Sequence, residues 1–178
     1  TCGYCLLKRM RLAAKGRGAN RLPDRITHAE RTRNMTHIQT IKRPLGPTES
    51  LYFLLDQLNC LNFAVFAQID GELSHESLTA ALEAVQAEHP LLRARIVTEQ
   101  QRLMFRPVPA VQYPLQASWL PWRGWRAELE RQLQQPFGDE APLLRCLAFA
   151  EQTAKGSRCV LALVFHHAIA DGRSGTEL

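Results

Sequence analysis

Arg158-Cys159-Val160-Leu161-Ala162-Leu163-Val164-Phe165, followed at once by His166-His167-Ala168-Ile169-Ala170-Asp171-Gly172, is the stretch on which the fold turns. Residues 159–165 are seven apolar side chains in a row. That is strand length, well short of the roughly 20 residues a membrane helix needs. A run with no polar alternation is what a strand covered on both faces displays. Residues 158–165 are therefore predicted to be a central strand. Leu143 to Ala150 reads as its neighbour, joined to it by a polar turn at 154–157.

Upstream, helical and strand patterns alternate. Pro47-Thr48-Glu49 opens a short helix to about Leu58, with Leu51, Leu54, Leu55 and Leu58 along one side. Phe63, Val65, Ala67 and Ile69 alternate as a strand does, and Asp70-Gly71 closes it. Ser74 is placed to cap a helix whose Leu78, Ala81, Leu82 and Val85 recur at three and four residues. His89-Pro90 stops that helix, because a residue before proline is pushed out of the helical region. Leu92, Ala94 and Ile96 alternate next, with Arg93 and Arg95 on the opposite face, and a further strand is expected near Leu103 to Arg106. The proline-rich stretch from Pro107 to Pro121 is loop or edge. Trp125, Leu129 and Leu133 form the stripe of another helix, ended by Pro136-Phe137-Gly138. The order of elements implies a mixed α/β layer fold, an α+β two-layer sandwich in which helices flank a mixed sheet.

The chemistry sits where the central strand ends. Successive strand residues point to opposite faces, so at most one of His166 and His167 enters a given cleft. An aspartate four residues on, followed by glycine, suggests a tight turn whose carboxylate folds back to brace the loop. Imidazole titrates near neutral pH and can take a proton from a hydroxyl or amine and return it to a leaving group. From the residues alone three readings stand: a general base on a strand-end loop, a hydrogen-bonded structural pair, and a metal site with Asp171 as the third ligand.

His166-His167-x-x-x-Asp171-Gly172 followed by Ser174 resembles the HHxxxDG signature of the condensation-domain superfamily of acyltransferases, which have the chloramphenicol-acetyltransferase-like fold. Two further segments carry the likeness. Glu88-His89-Pro90-Leu91-Leu92-Arg93 is similar to the family's H-P-x-L-R segment after its first long helix. Gln135-Pro136-Phe137, with Ala141-Pro142-Leu143-Leu144-Arg145, is similar to its P-F and P-L-apolar-R stretch. All three occur in the family's order, over roughly Pro44 to Leu178.

The resemblance implies an N-terminal lobe of such an enzyme, with the second lobe that completes the substrate tunnel missing, so that the chain is expected to be a fragment. It implies that His167 deprotonates a hydroxyl or amine acceptor, which attacks the thioester of an acyl-CoA or a phosphopantetheine-linked acyl carrier. No tightly bound cofactor and no metal are expected. Asp171 is implied to be structural and paired with Arg93, Gly172 to let the loop turn, and His166 to support the loop. Arg173, where many peptide-forming members carry an aromatic residue, and Glu88, where they often carry arginine, lean toward the lipid- or alcohol-acylating branch, such as wax-ester or phthiocerol-type dimycocerosyl transferases. The alternative is a non-catalytic binding or docking lobe, or half of a two-chain assembly.

The chain has 178 residues and a formal charge of +5, which invites a nucleic-acid or membrane reading. The charge is unevenly spread. Residues 1–34 hold nine basic and two acidic side chains, whereas residues 35–178 hold 13 and 15. No nucleic-acid role is therefore expected of the lobe, and no membrane span. The basic segment could form a short amphipathic helix and then an arm; with folding signals starting after Met35, it is expected to be a disordered leader or a spurious upstream extension. Cys2 and Cys5 make a C-x-x-C with no second pair at finger spacing and are taken as coincidence. Cys60, Cys146 and Cys159 sit in apolar surroundings and read as core residues. Five cysteines and no export signal point to a reducing cytoplasm.

Overall fold

The structure is a computed structural model and describes residues 5–11, for which only the backbone is considered, together with 42–108, 117–138, 141–154, 156–171 and 174–176. The gap-free apolar run becomes β8 (Gly156–His166), the middle strand of a five-stranded sheet of order β1-β3-β8-β7-β6. Its neighbours are β3 (Asn62–Asp70) and β7 (Leu144–Thr153), both antiparallel to it. The turn between β7 and β8 pairs Thr153 with Gly156, and Gly156 has φ +118°, a conformation glycine takes without a Cβ penalty.

Both faces of β8 are covered. Val160, Ala162 and Val164 join a core with Leu129 of α3 (Trp125–Leu133) and with Ile96 and Phe105. Those last two belong to a smaller sheet of order β2-β5-β4, made of β2 (Arg43–Pro44), β5 (Arg102–Pro107) and β4 (Ala94–Glu99). Cys159 and Phe165 point the other way, into a second core with Leu78 and Leu82 of α2 (His75–Glu88). Among the described residues the architecture is mixed α/β, with two sheets and three helices. The outer strands β1 (Cys5–Arg11) and β6 (Ala117–Pro121) run parallel to β3 and β7. Pro121 ends β6 at the sheet edge, where a missing N–H costs no ladder bond. Among the described residues no helix is long and apolar enough to cross a membrane.

Several local expectations differ from what forms. Cys5–Arg11 is a strand, not a helix: the edge of β3 offers it a row of free N–H and C=O groups. The rest of the basic segment lies outside the described residues. Leu92 and Arg93 belong to a 3₁₀ turn at Pro90–Arg93, and the strand begins only at Ala94, so both side chains are buried rather than alternating in and out. Cys60 is half-buried and donates its thiol hydrogen to the Gln134 carbonyl, whereas Cys146 and Cys159 are fully enclosed, their pKa values pushed up by burial to about 12 and about 11.

The largest difference concerns α1 (Pro47–Asp56). The side of α1 that carries the leucines is its outer one, Leu54 being 57% and Leu58, just past its end, 83% exposed. The inner side is instead Tyr52, Phe53 and Asp56, which meet the end of β8. Glu49 fixes the start of α1 by accepting from the Gly46 N–H at 2.6 Å and from both guanidinium nitrogens of Arg43 at 2.7 Å. That arginine draws the Glu49 pKa below its ordinary value.

Candidate active site

The last residue of β8 and the next one separate to different surroundings, as strand alternation requires. His166 is 1% exposed and lies among Phe53 and Phe137, the latter meeting it edge-on at 5.8 Å between centroids. A void of about 10 Å³ beside it, lined by Phe53, Phe137 and Leu143, has room for one water at most.

His166 is held from both ends. Its Nδ1 accepts the Ala168 N–H at 2.9 Å, and its Nε2 faces Asp56 Oδ2 at 3.5 Å, neither of those two atoms having a nearer hydrogen-bond partner. Asp56, 2% exposed, also accepts the Leu61 N–H on Oδ1 at 2.7 Å. Burial pushes the Asp56 pKa up, but His166, the Leu61 N–H and the charge of Arg145 together outweigh it and leave it below the ordinary carboxylate value.

His167 is only half-buried. Its ring lies between those of Phe63, 4.6 Å away, and Tyr52, 5.0 Å away and nearly parallel. Burial lowers its pKa first and the neighbouring His166 adds to that, while a hydrogen bond with the Ala170 backbone and the carboxylates of Asp171 and Asp56 pull the other way. The net shift is downward, which favours the neutral ring and its lone pair.

The turn after His167 is closed by Asp171 and Ser174. Asp171 Oδ1 accepts the Ser174 N–H at 2.8 Å and the Ser174 hydroxyl at 2.6 Å, and that hydroxyl oxygen accepts the Asp171 N–H at 2.9 Å. The short 3₁₀ turn Ser174–Thr176 begins there, and Gly175, buried, lies against Phe63. Gly172 and Arg173 lie outside the described residues.

Arg93 does not join this turn. Its side chain is buried at the foot of the 3₁₀ turn before β4, burial lowers its pKa, and among the described residues it makes no ion pair with Asp171. The implied Arg93–Asp171 pair is not seen among the described residues, where Asp171 Oδ1 bonds the Ser174 N–H and hydroxyl. The two histidines and Asp171 likewise do not converge: His166 and His167 have different ring partners, and among the described residues no cluster of three His, Cys, Asp or Glu side chains is arranged to hold a metal.

The motif segment from Gln135 to Arg145 acts as scaffolding for His166. Arg145 donates to the carbonyls of Gln132 and Gln135 at 3.0 and 2.6 Å, and Asn62 donates to that of Gln135 at 2.9 Å, so the open end of α3 is capped. The same guanidinium lies 4.0 Å over the ring of Phe137, which in turn packs on His166. A larger cavity, about 520 Å³, runs along α3 and β7 past Arg131 and Arg145 and does not include His167. Its lining guanidiniums are already engaged, Arg131 with Glu128 and Arg145 as a cap.

Sequence reasoning missed Tyr52, Phe63, Asp56 and Gly175. The available signal for the first and third was their spacing: Tyr52, Phe53 and Asp56 share the face of α1 opposite to the leucines.

No family model and no curated relative matches the chain. Its fold does match solved structures. The starter condensation domain of rhizomide synthetase RzmA superposes with a TM-score of 0.62 at 21% identity, over 74% of this chain and 34% of that one. A variant of that domain in complex with C8-CoA and Leu-SNAC gives 0.62 at 19%, over 77% and 33%. The X-domain from teicoplanin biosynthesis gives 0.63 at 24%, over 73% and 29%. The chain thus has the condensation-domain fold and spans about a third of the length of these structures.

Proposed function

We propose that this chain is the N-terminal lobe of a condensation-superfamily acyltransferase, and that His167 is its general base. The observation that carries the reading is the environment of His167: a neutral, half-buried imidazole between two aromatic rings, at the end of the central strand of a condensation-type fold. A neutral imidazole keeps one ring nitrogen as an acceptor. It takes the proton from an acceptor hydroxyl or amine as the oxygen or nitrogen attacks the thioester carbonyl. The tetrahedral intermediate collapses, the C–S bond breaks, and the departing thiolate receives the proton from the imidazolium. Asp171 and His166 hold the loop and do not react; Arg93 supports the fold.

The donor is a thioester of CoA or of a phosphopantetheine-bearing carrier. Arg173 and Glu88 favour an alcohol acceptor, whereas the Leu-SNAC complex of the RzmA domain favours an amine. Octanoyl-CoA offered with a long-chain alcohol or with Leu-SNAC therefore tests both. Acylated acceptor that forms only with the protein, detected by mass spectrometry beside released CoA, supports the reading. Octanoyl-CoA left unconsumed while it binds the protein supports a second reading, a binding lobe that works with another lobe. That second reading is favoured by the uncovered leucines of α1, Leu51 and Leu54 being 54% and 57% exposed.

A further inference from the structure

Next to the reacting imidazole stands a buried titratable pair that the mechanism above does not use. Asp56 closes α1, and its two oxygens have different work: Oδ1 takes the Leu61 N–H at 2.7 Å, and Oδ2 faces His166 Nε2 at 3.5 Å. On the far side of the ring, Nδ1 accepts the Ala168 N–H at 2.9 Å. A ring nitrogen that accepts carries no proton, so the proton of neutral His166 is on Nε2, toward the carboxylate. The opposite tautomer would set Nδ1–H against the Ala168 N–H and a bare Nε2 lone pair against Oδ2. Both contacts would be repulsive, in a site where neither group reaches water.

We propose that Asp56 is a positioning residue: it holds His166 as the Nε2–H tautomer, and through the Ala168 N–H this fixes the turn that carries His167. The effect on His167 rests on the acyl-transfer reading; the tautomer itself does not. The geometry of α1 reinforces the assignment. Tyr52, one turn before Asp56, stacks on His167, and Phe53 packs on His166, so one helix face addresses both rings. A carboxylate in the last turn of a helix is opposed by the dipole, and Asp56 follows no acidic stripe; its place is explained by the imidazole it meets.

Asp56→Asn tests this with almost no change of shape. Its amide oxygen would remain on the Leu61 N–H, and its NH₂ group would then point at His166 Nε2, turning that nitrogen into an acceptor and sending the ring proton to Nδ1. Nitrogen-15 spectra of the histidine rings in the 178-residue chain, with His166→Gln to identify the signal, read the tautomer directly. The expected result is Nε2–H in the unaltered chain, Nδ1–H in Asp56→Asn, and about fivefold faster exchange of the Ala168 amide in the variant. Nδ1–H in the unaltered chain overturns the proposal, and it decides the matter even if Asp56→Asn fails to fold. An unchanged tautomer in a folded Asp56→Asn also overturns it. Acyl transfer that persists in His167→Ala, with these tautomers observed, instead overturns the base role of His167 and leaves the Asp56 assignment standing.

Discussion

Gly175 tests how tightly the site is built. A Cβ there would come within 3.0 Å of Phe63 Cε2 and 3.2 Å of Val65 Cγ2. Neither neighbour is the free end of a flexible chain. Phe63 is 1% exposed, with its ring stacked on Phe165 at 5.2 Å and tilted against His167 at 4.6 Å. Forcing a methyl group into a packed site of this kind costs about 1–3 kcal/mol. Loss of unfolded-chain freedom on replacing glycine by alanine returns about 0.4–1 kcal/mol. Gly175→Ala is therefore expected to destabilise the fold by about 1–2 kcal/mol, measured by urea denaturation followed through tryptophan fluorescence. It is also expected to shift the His167 ring protons, because Phe63 must move. Gly71→Ala separates sterics from backbone: Gly71 has φ +135° and nothing within 4 Å of a built Cβ, so its replacement strains the turn and leaves His167 unmoved. A Gly175→Ala chain as stable as the parent, with unshifted His167 resonances, would refute the packing argument.

Two other outcomes follow from the same geometry. Leu54→Lys and Leu58→Lys are expected to change stability by less than about 0.5 kcal/mol in the same denaturation assay, since both side chains are already largely in water; a loss of several times that would mean the leucine face is covered. Stability is expected to fall in two steps on acidification. His167 has a lowered pKa in the fold, so its contribution is complete above the ordinary value of 6.5 and declines as the unfolded chain takes up protons below it. Asp56, also lowered, adds a loss as pH falls past 3.8. Denaturation midpoints against pH should show the upper step vanish in His167→Ala and persist in Leu58→Lys.

Much of the scaffold could be read before any coordinates. An unbroken apolar run of strand length reads as a doubly covered strand, and β8 lies mid-sheet with its even and odd residues in separate cores. Ser74 caps α2 by accepting the Ser77 N–H, as its position implied. Alternation also separated His166 from His167. What escaped was whatever depended on the identity of a distant neighbour. The leucines of α1 have helical spacing on the outer side, yet periodicity marks a stripe without saying whether anything covers it. The role of Asp56 could not be read because its partner lies 110 residues away in sequence. The implied Arg93–Asp171 pair is not seen among the described residues: a 3₁₀ turn takes Arg93 into the core, and Asp171 Oδ1 bonds Ser174, three residues on.

The central claim is that His167 moves the proton in acyl transfer, and one comparison bears on it most directly. Rates of acyl transfer from octanoyl-CoA to whichever acceptor reacts are measured for the parent chain and for His167→Ala, with matched denaturation curves to show that the variant is folded. The expected result is a loss of about a hundredfold or more with the fold intact. Equal rates in two equally folded proteins would contradict it.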